Sequence, residues 1–140
     1  MSRACILTVS DTRDLNTDKS GKLIAERLQH HGVTVMARHV VIDDIVDIQQ
    51  QFLTFEQLGP DLIITNGGTG IAQRDVTITA LTPLLPTMIP GFGEAFRELS
   101  FAEIGTRALA SKAEAGFNNR NQLCYLSLIH ISEPTRQEAI

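Results

Sequence analysis

The chain has 140 residues, of which 43% are hydrophobic, and a formal net charge of −4. This length and apolar content predict one domain with a single core, and the acidic balance argues against a protein that binds nucleic acid or a membrane surface. A small ligand is expected instead. The first apolar run, residues 4–9, is too short for a signal peptide or a membrane span, which favours a cytoplasmic location. Cys5 and Cys124 stand far apart in apolar runs and are predicted to be buried thiols.

Strands and helices are predicted to alternate along the first half of the chain. Residues 4–9 are apolar almost without interruption, as in a parallel strand that is buried on both faces. Asp18 or Ser20 can cap a helix that ends near His31. Residues 33–41 have the pattern of a second strand, so the chain begins with a strand-helix-strand unit.

A second helix and a third strand are expected next. Ile45, Ile48, Phe52 and Phe55 recur at spacings of three, four and three, which indicates an amphipathic helix with these side chains on its inner face. Residues 62–65 form a short, very apolar strand that runs directly into a glycine loop. This order places the glycine loop at the end of a buried strand.

The second half of the chain has weaker patterns. Residues 76–81 predict a short helix, and further helical stretches are expected over residues 94–99 and 103–115. Residues 123–126 are a candidate fourth strand. The β-α-β-α-β order, with connections long enough to cross over, predicts an α/β domain with a mostly parallel sheet.

The glycine loop is the first candidate site. In open α/β sheets, ligands bind beyond the carboxyl ends of the strands, where this loop is expected. Gly67, Gly68 and Gly70 let backbone N–H groups approach phosphate oxygens, and Thr69 adds a hydroxyl group. The loop matches neither a Walker loop nor a Rossmann fingerprint. The alternative is a tight turn that needs glycine for its geometry alone.

Two carboxylates are expected near the same edge of the sheet. Asp75 follows the glycine loop, and Asp43 follows the second strand. A carboxylate beside bound phosphate needs a cation between the two charges, and Mg²⁺ takes one or two protein carboxylates together with phosphate oxygens and water. The alternative is that Asp75 caps the helix over residues 76–81 and Asp43 caps the helix that starts at Ile45. Arg74 can either clamp a phosphate or face solvent.

Four ordered motifs carry a family resemblance. They are Leu7-Thr8-Val9-Ser10-Asp11, Asp18-Lys19-Ser20-Gly21, Asn66-Gly67-Gly68-Thr69-Gly70 with Arg74-Asp75-Val76-Thr77, and Pro90-Gly91-Phe92-Gly93-Glu94. Together they resemble the molybdenum-cofactor synthesis family of the bacterial MogA and MoaB proteins. Glu103-Ile104-Gly105-Thr106, with the Ala-rich stretch after it, is most similar to the MoaB branch.

The resemblance implies a three-layer α/β/α fold with a mostly parallel sheet, assembled as a homo-oligomer, a trimer or hexamer. It implies transfer of AMP from Mg·ATP to molybdopterin, with release of pyrophosphate. The expected small-molecule partners are therefore molybdopterin as substrate and ATP with Mg²⁺. No nucleic acid and no membrane are expected as partners.

The resemblance also implies a role for each matched residue. Gly67, Gly68, Thr69 and Gly70 would cradle nucleotide phosphate, and Asp43 and Asp75 would be catalytic and hold Mg²⁺. Retention of Asp43 favours an active transferase over a pterin-binding carrier without turnover, which stays the alternative. The further residues expected to line the ligand site are Ser10, Asp11, Asp18, Ser20, Arg74 and Glu94.

The pattern of the family ends after Tyr125. The family has a Pro-Gly-Ser or Pro-Gly-Asn turn and a closing helix there, whereas residues 126–140 resemble translated sequencing-adapter sequence. The expectation is one molybdopterin-binding domain over residues 1–125, incomplete at its C-terminus, and a tail that is non-native or frayed. A truncated product with neither function is a third interpretation, and an extension of the last strand through Ile131 is the structural alternative.

Overall fold

The computed structural model describes residues 2–10, 16–67, 71–92 and 114–126, and for residues 71–75 the description is of the backbone alone. Strands and helices alternate as far as the third helix, and a short 3-10 turn follows that helix. In chain order the elements are β1 (Arg3–Val9), α1 (Lys19–His30), β2 (Thr34–Val41), α2 (Ile45–Leu58), β3 (Leu62–Asn66), α3 (Ile71–Leu81), β4 (Thr87–Met88), β5 (Glu114–Phe117) and β6 (Leu123–Leu126).

The described strands form one sheet in the order β2-β1-β3-β6-β5-β4. The pairs β1–β2, β1–β3 and β3–β6 are parallel, whereas β5 pairs with β6 and β4 in the antiparallel sense. A mostly parallel sheet is therefore confirmed. Because β1 lies at the centre of the parallel part, its side chains are buried from Ala4 to Val9, as the continuous apolar run predicted.

Helices cover both faces of the sheet. On one face Ile24 and Ala25 of α1 pack against Ile6 and Ile64. On the other face α2 and α3 pack together over the sheet, in a cluster that contains Ile48, Phe52, Phe55, Ile78 and Leu81 from the helices and Cys5, Leu7, Val9 and Ile63 from the strands. Alternate residues of β1 thus face opposite helical layers, and the three-layer α/β/α architecture is confirmed.

Ile45 is the exception to the predicted inner face of α2. Ile48, Phe52 and Phe55 are at most 1% exposed, but Ile45 is 42% exposed. The reason is its place as the first residue of the helix, outside the core cluster that the other three residues join. The spacing pattern identified the helix correctly and overestimated the length of its buried stripe.

The expected helix over residues 103–115 is wrong at its end, because Glu114–Phe117 is strand β5. Ala and Glu favour helix locally, but antiparallel pairing with β6 and β4 decides the conformation here. A Cβ at Gly116 would lie 2.7 Å from Thr87 O, so glycine allows β4 to approach. The earlier part of that stretch, the expected helix over residues 94–99, and residues 127–140 lie outside the described residues.

Candidate functional site

A crevice is expected where β1 and β3 end side by side. The two strands are parallel neighbours, and Thr8 pairs with Asn66 near their carboxyl ends. The chain leaves β1 for α1 on one face of the sheet, whereas it leaves β3 for α3 on the other face. Connections that diverge in this way mark a topological switch point, which is where open α/β sheets bind ligands.

The first half of the glycine loop lies at this switch point. Asn66, the last residue of β3, is 2% exposed, and Gly67 is buried. Thr65 Oγ1 donates a hydrogen bond to Tyr125 O of β6 at 2.9 Å, which fixes the strand end laterally. The three residues Gly68, Thr69 and Gly70 lie outside the described residues, and α3 begins directly after them. Because the first turn of a helix leaves backbone N–H groups unpaired, the start of a helix is a position where an anion can bind.

Asp43 lies at the same carboxyl edge, after β2. The alternative interpretation, that it caps α2, is wrong, because Asp44 is the cap: its Oδ2 accepts a hydrogen bond from Asp47 N at 3.1 Å. Asp43 itself is half-buried. Because β2 is the edge neighbour of β1, Asp43 lies on the opposite side of the β1 end from Gly67.

Asp75 lies inside α3 and does not cap it. The helix begins at Ile71, a full turn before Asp75, because the glycine loop is followed by helix at once. The short helix expected over residues 76–81 is therefore one turn longer at its start. The side chains of Arg74 and Asp75 are outside the description, so their part in the site stays a prediction.

The first loop carries the other predicted lining residues. Ser10 N donates to Val41 O at 2.8 Å, and Ser20 is buried in the first turn of α1. Asp18 is the N-cap of α1 and is 2% exposed. Asp11 lies outside the described residues, as does Glu94.

Two residues that the sequence interpretation missed hold Asp18. Thr8 Oγ1 donates to Asp18 Oδ2 at 2.7 Å, and Arg38 Nη2 lies 3.4 Å from the same oxygen. The position of Arg38 in the middle of a strand was the available signal, since a partly buried cation needs an anionic partner. These contacts hold the Asp18 carboxylate beside Thr8, near the carboxyl end of β1. The expected place of Asp18 in the ligand site stays a prediction.

A separate open cavity of about 460 Å³ adjoins the β2–α2 corner. Its lining residues are Val41, Ile42, Asp47, Gln50, Gln51 and Thr54. They include a carboxylate and no basic side chain, so this cavity does not offer phosphate the charge it needs.

Two properties of the described residues bear on the site. Within the described part of the chain, no three side chains of His, Cys, Asp and Glu come close enough together to hold a metal ion. In the same residues no helix has the length and apolarity needed to cross a bilayer. A magnesium site at Asp43 would therefore depend on phosphate oxygens, water and residues such as Asp75 for its other ligands.

Residues 5–126 match the protein family described as "Probable molybdopterin binding domain". The chain belongs to this family. The molybdopterin-binding domain in this chain is 52% identical over 126 residues to molybdenum cofactor biosynthesis protein B of Staphylococcus aureus (strain COL), covering 88% of this chain and 74% of the relative. It is 53% identical over 117 residues to the protein of the same name from Staphylococcus carnosus (strain TM300), covering 81% and 69%.

Solved structures agree with the molybdopterin-binding assignment. A crystal structure of molybdenum cofactor biosynthesis protein B superposes with a TM-score of 0.83 at 39% identity, covering 99% of this chain and 88% of that one. The tungsten cofactor synthesizing protein MoaB from Pyrococcus furiosus gives a TM-score of 0.80 at 31% identity, with 100% and 90% covered. The MogA/MoaB resemblance and fold are therefore confirmed, and the domain has a role in molybdenum-cofactor biosynthesis.

Proposed function

We propose that this chain transfers AMP from Mg·ATP to the terminal phosphate of molybdopterin. The observation that carries the proposal is the joint position of Gly67 and Asp43. Both follow parallel strands at the carboxyl edge of the sheet, on either side of the β1 end, and Gly67 lies at the switch point between β1 and β3. A phosphate-binding loop and a carboxylate at one edge suit phosphoryl chemistry, and the membership of the molybdopterin-binding family supports the pterin as the acceptor.

The proposed reaction needs positioning more than a covalent nucleophile. An oxygen of the molybdopterin phosphate attacks the α-phosphorus of ATP, the bond to the bridging oxygen breaks, and pyrophosphate leaves with that electron pair. Gly67, Gly68 and Gly70 would hold phosphate oxygens through backbone N–H groups, with the Thr69 hydroxyl beside them. No serine or cysteine nucleophile is required.

The residues present fit Mg·ATP. When bound, Mg²⁺ neutralises negative charge on the phosphates. Asp43 is a half-buried oxygen donor at the proposed phosphate edge, and α2 is capped by Asp44 rather than by Asp43. In the proposal Asp43 and Asp75 orient the metal-bound nucleotide, and Arg74 contacts a phosphate.

Other parts of the proposal concern the rest of the site and the assembly. The further residues proposed to border the ligand are Ser10, Asp11, Asp18, Ser20 and Glu94. The domain is proposed to comprise residues 1–125 and to work as a cytoplasmic homo-oligomer.

The direct test incubates the chain with molybdopterin, ATP and MgCl₂, and follows adenylylated molybdopterin and pyrophosphate by chromatography. Equal amounts of both products are expected, and chelation of Mg²⁺ should stop their formation. A known adenylyltransferase serves as the positive control. Absence of product where that enzyme works would contradict the transferase proposal, and tight pterin binding without nucleotide consumption would identify a carrier instead.

A further inference from the structure

Exposed apolar side chains are concentrated on one helix. Among the residues whose side chains the structure describes, every exposed large hydrophobic residue lies in α2 or shortly before it: Ile42, Ile45, Val46, Leu53 and Leu58. Val46 is 63% exposed and Leu53 is 42% exposed. Single exposed apolar residues scattered over a surface need no explanation, whereas their concentration on one element marks an interaction surface.

Val46 and Leu53 lie in line with two glutamines. Because an α-helix turns by about 100° per residue, residues 46, 50, 53 and 57 share one side of α2, opposite to the side that packs on the core. Gln50 and Gln57 are exposed as well. We call these four residues the α2 ridge. It presents two apolar side chains, seven positions apart, and carries no charge of its own.

The two ends of α2 differ in the charges that they expose. Asp44 caps the start of the helix, and Asp47 lies in its first turn. At the other end, Arg3 Nη2 donates to the carbonyl of the C-cap residue at 2.7 Å. Arg120 lies 3.6 Å from Glu56 there, and its side chain is 55% exposed against 14% for the glutamate. The ridge thus runs from exposed carboxylate to exposed guanidinium groups.

Two copies of α2 in antiparallel directions match both features. A two-fold axis beside Gln50, midway along the ridge, sets Val46 of one copy against Leu53 of the other. The acidic start of each helix then meets the end that carries the arginines, and the two helix dipoles oppose each other. A parallel arrangement would set the carboxylates of both copies against each other with no cation between them.

We infer that the α2 ridge is a self-association surface, on which a second copy of this chain docks with its own α2 in the antiparallel direction. The contact is isologous, so it doubles the mass of whatever unit the other surfaces form. A helix of 14 residues is about 21 Å long. Because so short a contact is smaller than a standard interface, we expect a Kd on the order of tens of micromolar. This docking supplies one interface of the proposed homo-oligomer and does not depend on adenylyl transfer.

Analytical ultracentrifugation of the whole chain over a concentration series tests the ridge in wild type, Leu53→Glu and a matched control, Ile45→Glu. Leu53 and Ile45 are each 42% exposed on the same helix, but Ile45 lies about 100° around the helix from Val46 and off the ridge. We expect the wild-type mass to double as concentration rises. Leu53→Glu should raise the Kd of that step at least about tenfold, because it buries a charge in the contact. Ile45→Glu should change it by less than about threefold.

Salt and a charge reversal test the match between the helix ends. Arg120→Glu is expected to raise the Kd about fivefold at low ionic strength, and the difference should shrink at high ionic strength because exposed charges are screened. Arg27→Glu is the control, since Arg27 is an exposed arginine of α1 on the other face of the sheet. It should stay within about twofold of wild type. Equal effects of the two reversals would overturn the charge match.

Cysteine cross-linking tests the direction of the two helices. Gln50→Cys places a thiol beside the two-fold axis, so oxidation should link two copies. In the antiparallel arrangement the two copies of residue 57 are about 20 Å apart, too far for a disulfide, so Gln57→Cys should link at least about tenfold more slowly. Cys5 and Cys124 are buried and do not compete. Equally fast linking through Gln57→Cys would overturn the antiparallel direction.

Two further results would overturn the self-association surface itself. One is a wild-type mass that does not change with concentration while Gln50→Cys fails to link, which would leave the ridge to a different protein. The other is a Leu53→Glu protein that folds, as judged by circular dichroism, and associates as wild type does. If Leu53→Glu does not fold, the cross-linking of Gln50→Cys against Gln57→Cys decides. Loss of adenylyl transfer with association intact would contradict only the proposed function.

Discussion

Asp44 Oδ2 accepts a hydrogen bond from Asp47 N at 3.1 Å and closes the first turn of α2. Its neighbour Asp43 therefore does not cap the helix, although the two aspartates look interchangeable in the sequence. Substitutions at these two neighbouring aspartates are therefore expected to separate an effect on activity from an effect on stability.

Asp43→Asn is expected to lower kcat for adenylyl transfer about a hundredfold, because a neutral amide orients the metal-bound nucleotide poorly. Asp44→Ala should instead lower the free energy of unfolding by about 1 kcal/mol through loss of the cap and keep most of the activity. Product formation and urea unfolding of both variants check this. Full activity in Asp43→Asn would remove Asp43 from the site.

Gly21→Ala is expected to destabilise the fold even though alanine favours helix. A Cβ at Gly21 would overlap the Asp18 carboxylate and lie 2.9 Å from Thr8 Oγ1, and such overpacking costs about 1–3 kcal/mol. Gly32→Ala is the control: Gly32 has φ +84° with nothing within 4 Å of the added Cβ, so its cost is backbone strain of about 1 kcal/mol. Denaturant unfolding measures both variants. If Gly21→Ala loses no more free energy of unfolding than Gly32→Ala, the tight packing around Asp18 is contradicted.

The buried thiols should make stability fall at alkaline pH. Burial raises the pKa of Cys5 from 9.0 to about 11. Burial, followed by the Glu56 charge, raises the pKa of Cys124 to about 12, against a backbone hydrogen bond of Asn118 that lowers it. In the unfolded chain the two thiols lose their protons near pH 9, whereas in the folded chain they keep them. The stability that the protonated thiols contribute is therefore complete below pH 9 and declines as pH rises toward 11 to 12.

Cys124→Val removes one of these titrations and keeps an apolar side chain. We expect the free energy of unfolding of wild type to fall more than that of Cys124→Val between pH 8 and pH 10.5, with similar slopes below pH 8. Urea unfolding of both proteins at pH 8 and pH 10.5 measures these free energies. If the free energy of unfolding falls equally in both proteins, groups other than Cys124 control the loss of stability at alkaline pH. Cys5 stays in both proteins and acts as the internal reference.

Local pattern was sufficient for the elements that depend on local burial. The apolar run of β1 and the spacing of Ile48, Phe52 and Phe55 identified a doubly buried strand and an amphipathic helix, both of which the structure confirms. The antiparallel β5 strand was missed, because its conformation depends on pairing with β6 and β4 rather than on its own residues.

The candidate site was likewise predictable from the sequence only in part. The glycine loop and Asp43 could be placed at the carboxyl ends of strands from the sequence, because their position relative to the strands can be inferred along the chain. Their roles in the site come from the family motifs and stay predictions. The contact of Arg38 with Asp18 joins residues 20 apart in sequence across two elements, and no periodicity announces it. The sequence therefore predicted Asp18 as a helix cap and a ligand-lining residue, but not its contacts with Thr8 and Arg38.

Two contacts with β2 have a further consequence for engineering. Ser10 is bound through a backbone hydrogen bond to Val41 O, whereas Asp18 is bound through the side chain of Arg38. A side-chain substitution can therefore remove the second contact and leave the first in place.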